Sequence, residues 1–158
     1  KNLEETVLKP IMQPTLQNGK VVEREKPLET IIDFLGTTSS AKDEIGVLLG
    51  DRTAFSTPKP MKLIKELVRA ASEKDSIVLD FFAGSGTTGH AVMDLNKEDG
   101  GSRKFILITN DEKNICQNVT VPRIQKAIEL FGYKETFEIY GFLKLQDKFC
   151  PVKMFVLW

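Results

Sequence analysis

Several kinds of protein are excluded by what this sequence has little of. Its 158 residues contain two cysteines, Cys116 and Cys150. That is too few for a disulfide framework, and their spacing has none of the pairs that hold zinc. They read as free thiols in a reducing compartment, so the expected location is the cytoplasm. No apolar run approaches the ~20 residues of a membrane span, and no secretory signal is visible, so no membrane partner is expected. Asn118-Val119-Thr120 matches a glycosylation sequon but, without a secretory signal, reads as chance. Neither charge sign is in excess, with Lys plus Arg and Asp plus Glu at 22 each. Net charge therefore offers no argument for nucleic acid, although a local basic face stays open. There is one histidine, no Pro-Pro dipeptide, no internal repeat and no low-complexity tract.

What is present is an ordinary globular composition, 41% apolar and 28% charged, long enough for one domain with a core. Residues 1–35 show little periodicity, with prolines at 10, 14 and 27, and read as irregular lead-in with at most a short strand. A helix is expected from about Ala41 to Leu49, with Ser40 and Asp43 as a capping box and Gly50 as its stop. "STPKP" (Ser56–Pro60) enforces an extended approach, and Pro60 suits a helix start. Leu63, Ile64, Leu67, Val68 and Ala71 then share one face. "SIVLDFF" (Ser76–Phe82) has the pattern of a strand buried on both faces. Thr88, Ala91, Val92 and Leu95 have helical spacing. "KFILITN" (Lys104–Asn110) is a second strand. "VPRIQKAIELFG" (Val121–Gly132) is a helix with Val121, Ile124, Ile128 and Phe131 on one face, and "FEIYGF" (Phe137–Phe142) is a third strand. This alternation predicts an α/β fold with a mostly parallel sheet, flanking helices and right-handed crossovers. The apolar end, Cys150–Trp158, reads either as a strand whose neighbour lies outside this chain or as a non-native end.

The informative stretch is "VLDFFAGSGTTGHAV" (Val78–Val92). It places Asp80 and a glycine turn at the carboxyl end of a strand, where ligands bind in parallel sheets. Gly84 and Gly86 let backbone amides approach a ligand or take φ > 0. The helix that follows offers unpaired amides and a partial positive charge, suited to a diphosphate or a carboxylate. A phosphate loop of the Walker type needs Gly-Lys-Ser/Thr, and this turn has Gly86-Thr87-Thr88. "GSGTTG" (Gly84–Gly89) satisfies the dinucleotide pattern G-x-G-x-x-G, but that pattern alone is weak. His90 follows directly and reads as structural rather than catalytic.

The residues around the glycines carry a resemblance. "VLDFFAGSGTTGHAV" resembles the first cofactor motif of amino-methylating DNA methyltransferases that use S-adenosylmethionine (SAM). "FSTPKPMKLIKELV" (Phe55–Val68) resembles the motif that precedes it in the β-class of those enzymes, and "RKFILITNDEKNIC" (Arg103–Cys116) resembles the second cofactor motif. "GTTSSAKDEIGVLLG" (Gly36–Gly50) is similar to the lead-in found in modification subunits of type III restriction–modification systems, the group the sequence resembles most. The resemblance runs from about Leu35 to Phe142. It implies a Rossmann-like SAM-dependent methyltransferase fold, with residues 36–142 as the cofactor-binding portion and 143–158 as a tail. It implies SAM as cofactor. Asp80 would then attract the cationic amino group or sulfonium, and the amides of Ala83, Gly84, Ser85 and Gly86 the carboxylate. Thr57 and Lys59 would hold the carboxylate too. Phe55, Phe81 and Phe82 would supply apolar walls, with Phe81 or Phe82 alternatively in the core. The acidic ribose ligand of many relatives falls at Thr109, which leaves Asn110 or Glu112 for that role.

The same resemblance exposes a gap. Such enzymes position the target base with a Pro-Pro-Tyr/Phe motif, whose polar group and aromatic hold the flipped base, and this chain has no Pro-Pro. In the β-class that motif comes earlier than the lysine-proline motif, and the chain starts at Lys1 rather than methionine. The expectation is a C-terminal, cofactor-binding portion that lacks the catalytic half and is inactive alone. The full-length protein would methylate the exocyclic amine of adenine in double-stranded DNA, with a restriction subunit as partner and self-association through exposed apolar surface. The alternatives are a SAM methyltransferase acting on a cytosine amine, RNA or a small molecule, or a non-catalytic assembly remnant.

Overall fold

A computed structural model describes residues 11–17, 20–26, 34–110, 112–141 and 152–157. Two strands, β1 (Ile11–Gln17) and β2 (Lys20–Lys26), pair antiparallel as a separate hairpin from Ile11↔Lys26 to Gln17↔Lys20. The sequence reading expected little more than an irregular lead-in here. The Asn18-Gly19 dipeptide between the strands is the turn signal that marks such a hairpin.

Helix α1 (Thr38–Leu49) starts three residues earlier than expected, because its cap is Thr37 rather than Ser40. The Thr37 hydroxyl accepts from the Ser40 amide at 3.3 Å, and the Ser40 hydroxyl accepts from the Thr37 amide at 2.9 Å. Gly50 ends the helix in the left-handed region. Helix α2 (Met61–Ala71) begins directly after Pro60.

The main sheet has four strands: β3 (Ile77–Asp80), β4 (Lys104–Asn110), β5 (Phe137–Gly141) and β6 (Val152–Leu157), in the order β3-β4-β6-β5. β3 and β4 are parallel, from Ile77↔Lys104 to Asp80↔Leu107. β6 runs antiparallel to both β4 and β5. The sheet is therefore mixed: β3, β4 and β5 point one way, but only one of the three ladders is parallel. The C-terminal apolar stretch finds its partners inside this chain, between β4 and β5.

Helix α3 (Thr87–Asp99) is the centre of the core, with Ala91, Val92, Met93 and Leu95 fully buried. It packs on the β4 face that carries Phe105 and Leu107, with Ile124 and Ala127 of α4 (Val121–Phe131) closing the other side. Gly89 makes that approach possible. A Cβ there would lie 2.8 Å from Ile124 Cδ1, 3.0 Å from Phe105 Cζ and 3.1 Å from Leu107 Cδ1. The opposite face of β3 is open. Ile77 is 64% exposed and Leu79 47%, and β3 is the edge of its sheet. The expected burial on both faces is thus corrected: among the described residues no second layer covers the face carrying Ile77 and Leu79, and the face carrying Val78 and Asp80 is half-buried. Phe131, expected on the buried face of its helix, is 41% exposed.

Candidate functional site

The turn after β3 is built from its own side chains. Asp80 has one carboxylate oxygen on the Phe82 amide at 2.9 Å and the other on the Thr88 hydroxyl at 2.5 Å. It thereby clamps the strand end to the first turn of α3. The Ala83 amide donates to the Ile108 carbonyl at 3.1 Å, which ties the turn to β4. The Thr120 hydroxyl donates to the Gly84 carbonyl at 2.7 Å. Gly84 (φ +49°) and Gly86 (φ +79°) both sit in the left-handed region. Gly84 also meets an aromatic ring, since a Cβ there would lie 3.1 Å from Phe55 Cζ. Gly86 is the N-cap of α3, and no side chain caps the helix. The partial positive charge of that helix start has no carboxylate or hydroxyl acceptor from the cap residue.

Against this turn lies the proline-rich loop. Together they form a cleft of about 270 Å³ lined by Phe55, Thr57, Lys59, Ile64, Asp80, Phe82, Ala83, Gly84, Ser85, Thr87 and Thr88. Eight of the residues singled out from the sequence meet there: Phe55, Thr57, Lys59, Asp80, Phe82, Ala83, Gly84 and Ser85. The Lys59 carbonyl accepts from the Thr87 hydroxyl at 3.4 Å, which joins the loop to the helix start. Phe82 is 93% exposed, so its ring is not core. Phe81 is also exposed and does not line the cleft. Gly86 is buried beneath it. Asn110 ends β4 and Glu112 opens a short 3-10 turn (Glu112–Asn114). Thr109 is buried.

Sequence reasoning missed the residue under the turn. Arg123 of α4 is fully buried, and its Nη1 donates to the Thr87 hydroxyl at 2.7 Å and the Ser85 hydroxyl at 3.1 Å. Its Nη2 lies 3.6 Å from the Glu44 carboxylate, an ion pair too long for a hydrogen bond, and both Nη2 and Nε lack hydrogen-bond partners. Burial pushes its pKa down to about 10, with Glu44 opposing the shift. A lone arginine on a helix reads as surface charge. The available signal was its position three residues after Thr120 and four before Ala127, on the buried arc.

His90 is buried on the other side of α3, stacked on Phe131 at 5.4 Å and edge-on to Tyr133 at 5.9 Å. Neither ring nitrogen has a hydrogen-bond partner. Burial, then the nearby Arg123 charge, lowers its pKa to about 4. No helix of the described residues is long and apolar enough to cross a membrane. Cys116 is buried in the core, and Cys150 lies outside the described residues.

A family model described as DNA methylase matches residues 4–121, well over half of the chain. The type III restriction-modification enzyme StyLTI Mod subunit of Salmonella typhimurium is 52% identical over 87 residues, 55% of this chain and 13% of its own length. The EcoPI Mod subunit of Escherichia phage P1 is 47% identical over 103 residues, 65% of this chain and 15% of its own. The type II methyltransferase M.KpnI of Klebsiella pneumoniae is 45% identical over 74 residues, 47% of this chain and 18% of its own. The matched stretch is thus less than a fifth of each of these relatives.

Proposed function

The chain belongs to the DNA methylase family, and from that premise we propose that it forms the SAM-binding part of a DNA methyltransferase of the type III modification-subunit kind. The observation that carries the reading is the convergence on one cleft of a lysine-bearing loop, an anchored aspartate and an uncapped helix start. Those groups fit a zwitterionic amino acid. Its carboxylate suits the α3 amides, Lys59 and Thr57, and its ammonium suits Asp80, whose oxygens keep lone pairs beyond the two bonds they accept. Phe55 and Phe82 give the apolar walls, Phe81 lying outside the cleft, and the turn at Ala83–Gly86 gives the close backbone approach. Asn110 or Glu112 takes the ribose hydroxyls. The cofactor supplies an electrophilic methyl group. The reading carries with it a Rossmann-like methyltransferase fold.

For the whole protein the reaction is site-specific methyl transfer to the exocyclic amine of adenine in double-stranded DNA. A restriction subunit is its partner, and the cytoplasm its location. The names of the relatives support the restriction–modification setting. The lone pair of that amine is delocalised into the ring, so orientation must provide much of the rate. The 158 residues contain no Pro-Pro-Tyr/Phe element for that task. The chain alone therefore binds SAM without methylating DNA, and the open face of β3 favours self-association. Titration calorimetry of the chain with SAM tests the first half of the reading, with saturable one-site binding expected. Labelled methyl transfer to unmethylated genomic DNA tests the second. Turnover above that of an Asp80→Ala control would overturn the claim that the base-positioning groups lie outside this chain.

A further inference from the structure

We infer that Arg123 is a positioning residue for the carboxylate of the ligand's amino-acid end, acting through the Ser85 and Thr87 hydroxyls. The inference rests on the SAM-binding reading above. Its starting point is a charge that the protein leaves half-served. A guanidinium has five N–H donors and no acceptor, and here two of its three nitrogens are buried without a hydrogen-bond partner. Burying such a group is unfavourable unless an anion balances it. The Glu44 carboxylate stands 3.6 Å away and is already shared with the Met61 amide at 3.1 Å.

The direction of the hydrogen bonds follows from the donor. Arg123 Nη1 can only donate, so it occupies a lone pair on Thr87 Oγ1 and one on Ser85 Oγ. Thr87 turns its proton to the Lys59 carbonyl at 3.4 Å or to Ser85 Oγ at 3.2 Å. When Thr87 donates to Ser85, the Ser85 O–H proton has no acceptor inside this cluster and faces the cleft; when Thr87 donates to Lys59, Ser85 gives its proton to Thr87 until a stronger, anionic acceptor draws it away. Both residues line the cleft, directly at the uncapped start of α3. The site therefore presents oriented donors backed by a buried positive charge, which selects an acceptor-only, anionic group. A carboxylate is such a group, and an adenosine is not.

The test compares SAM with 5′-deoxy-5′-methylthioadenosine, which keeps the nucleoside and sulfur but lacks the amino-acid end. Calorimetry on the wild-type chain and on Arg123→Met is expected to show about a thirtyfold loss of SAM affinity and less than about a threefold loss for the truncated nucleoside. Equal losses for the two ligands, or no loss for either, would overturn the inference, because a merely structural arginine would not distinguish them. If Arg123→Met does not fold, as judged by circular dichroism, Ser85→Ala decides the matter. A selective loss of about tenfold for SAM supports the inference, and an unselective or absent effect overturns it. A wild-type chain that binds no SAM sinks the cofactor reading and this inference together. A wild-type chain that binds SAM normally, with variants unselective, sinks the inference alone.

Discussion

Along its flank, α3 offers Asp94 and Glu98 to Lys65 and Arg69 of α2, and each of those charges has a partner. Lys65 reaches Asp94 at 2.8 Å and Glu98 at 3.0 Å, Arg69 reaches Glu98 at 3.0 Å, and the Tyr133 hydroxyl donates to Asp94 at 2.9 Å. At its head the same helix meets Arg123, two hydroxyls and an uncapped first turn, and the balance is incomplete. The flank is partly solvated, so its ion pairs are individually weak. The head is buried, so each unmade bond there costs more. A closed polar network fixes one helix on another. An open one at the mouth of a cleft keeps hydroxyl and amide donors that a ligand can use.

The sharpest break between the two regions comes from pH, because His90 lies between them and feels both. Its pKa is lowered from 6.5 to about 4 by burial first, then Arg123, with Asp94 opposing and Lys65 adding to the shift. The unfolded chain takes up this proton near pH 6.5 and the folded chain only near pH 4. Stability from this residue is complete above pH 6.5 and lost as pH falls towards 4, by roughly 3 kcal/mol. Denaturant melts of wild type and His90→Phe across that window should diverge by that amount. Parallel curves would show that the histidine is not the group responsible. The flank titrates elsewhere. For Asp94, burial alone would raise the pKa, but the Lys65 and Tyr133 hydrogen bonds lower it from 3.8. For Glu98, the Arg69 hydrogen bond leads in lowering it from 4.5. Their contribution disappears only as pH falls below those ordinary values.

Next in size is the clamp at the head. Asp80→Ala removes the acceptor for the Phe82 amide and the Thr88 hydroxyl as well as the charge facing the cleft. A loss of ~1.5–3 kcal/mol in SAM binding is expected, and unchanged affinity in a folded variant would remove Asp80 from the site. Lys59→Ala is smaller and more selective. SAM should weaken by about tenfold while adenosine hardly moves, since an exposed ammonium acts mainly through the carboxylate. Equal weakening would assign Lys59 to loop structure instead. The smallest effect belongs to the flank. Lys65→Met should cost about 1 kcal/mol or less in stability, shrink further in high salt, and leave SAM affinity unchanged. A large effect on binding would mean that the two clusters are one network.

The glycine turn was legible because its chemistry is written in consecutive residues: Asp80 at a strand end, then Gly84, Gly86 and Gly89 at fixed offsets. The loop at Phe55–Lys59 was legible for the same reason. Arg123 was not, because its meaning depends on two hydroxyls 36 and 38 positions away. The place of β6 was not legible either. Val152–Leu157 reads as apolar and extended, but nothing local selects β4 and β5 as its neighbours. β3 misled in the other direction: an apolar run looks doubly buried whether or not a second layer covers it. The hairpin at 11–26 is hard to read because the segment has little periodicity and prolines at 10, 14 and 27, although Asn18-Gly19 carries a turn signal.

Between the short 3-10 turn and α4, residues Cys116–Thr120 form a π turn that runs without a break into Val121 and Pro122. Wider backbone rings and a proline with no N–H leave this the least firmly laddered part of the helix. Its last residue, Thr120, holds the carbonyl of Gly84. A local opening of that π turn would release the Gly84 carbonyl and with it one tie on the glycine loop. If the loop is held by this latch, its opening is expected to track the exchange rates of the Val119 and Thr120 amides rather than any static distance.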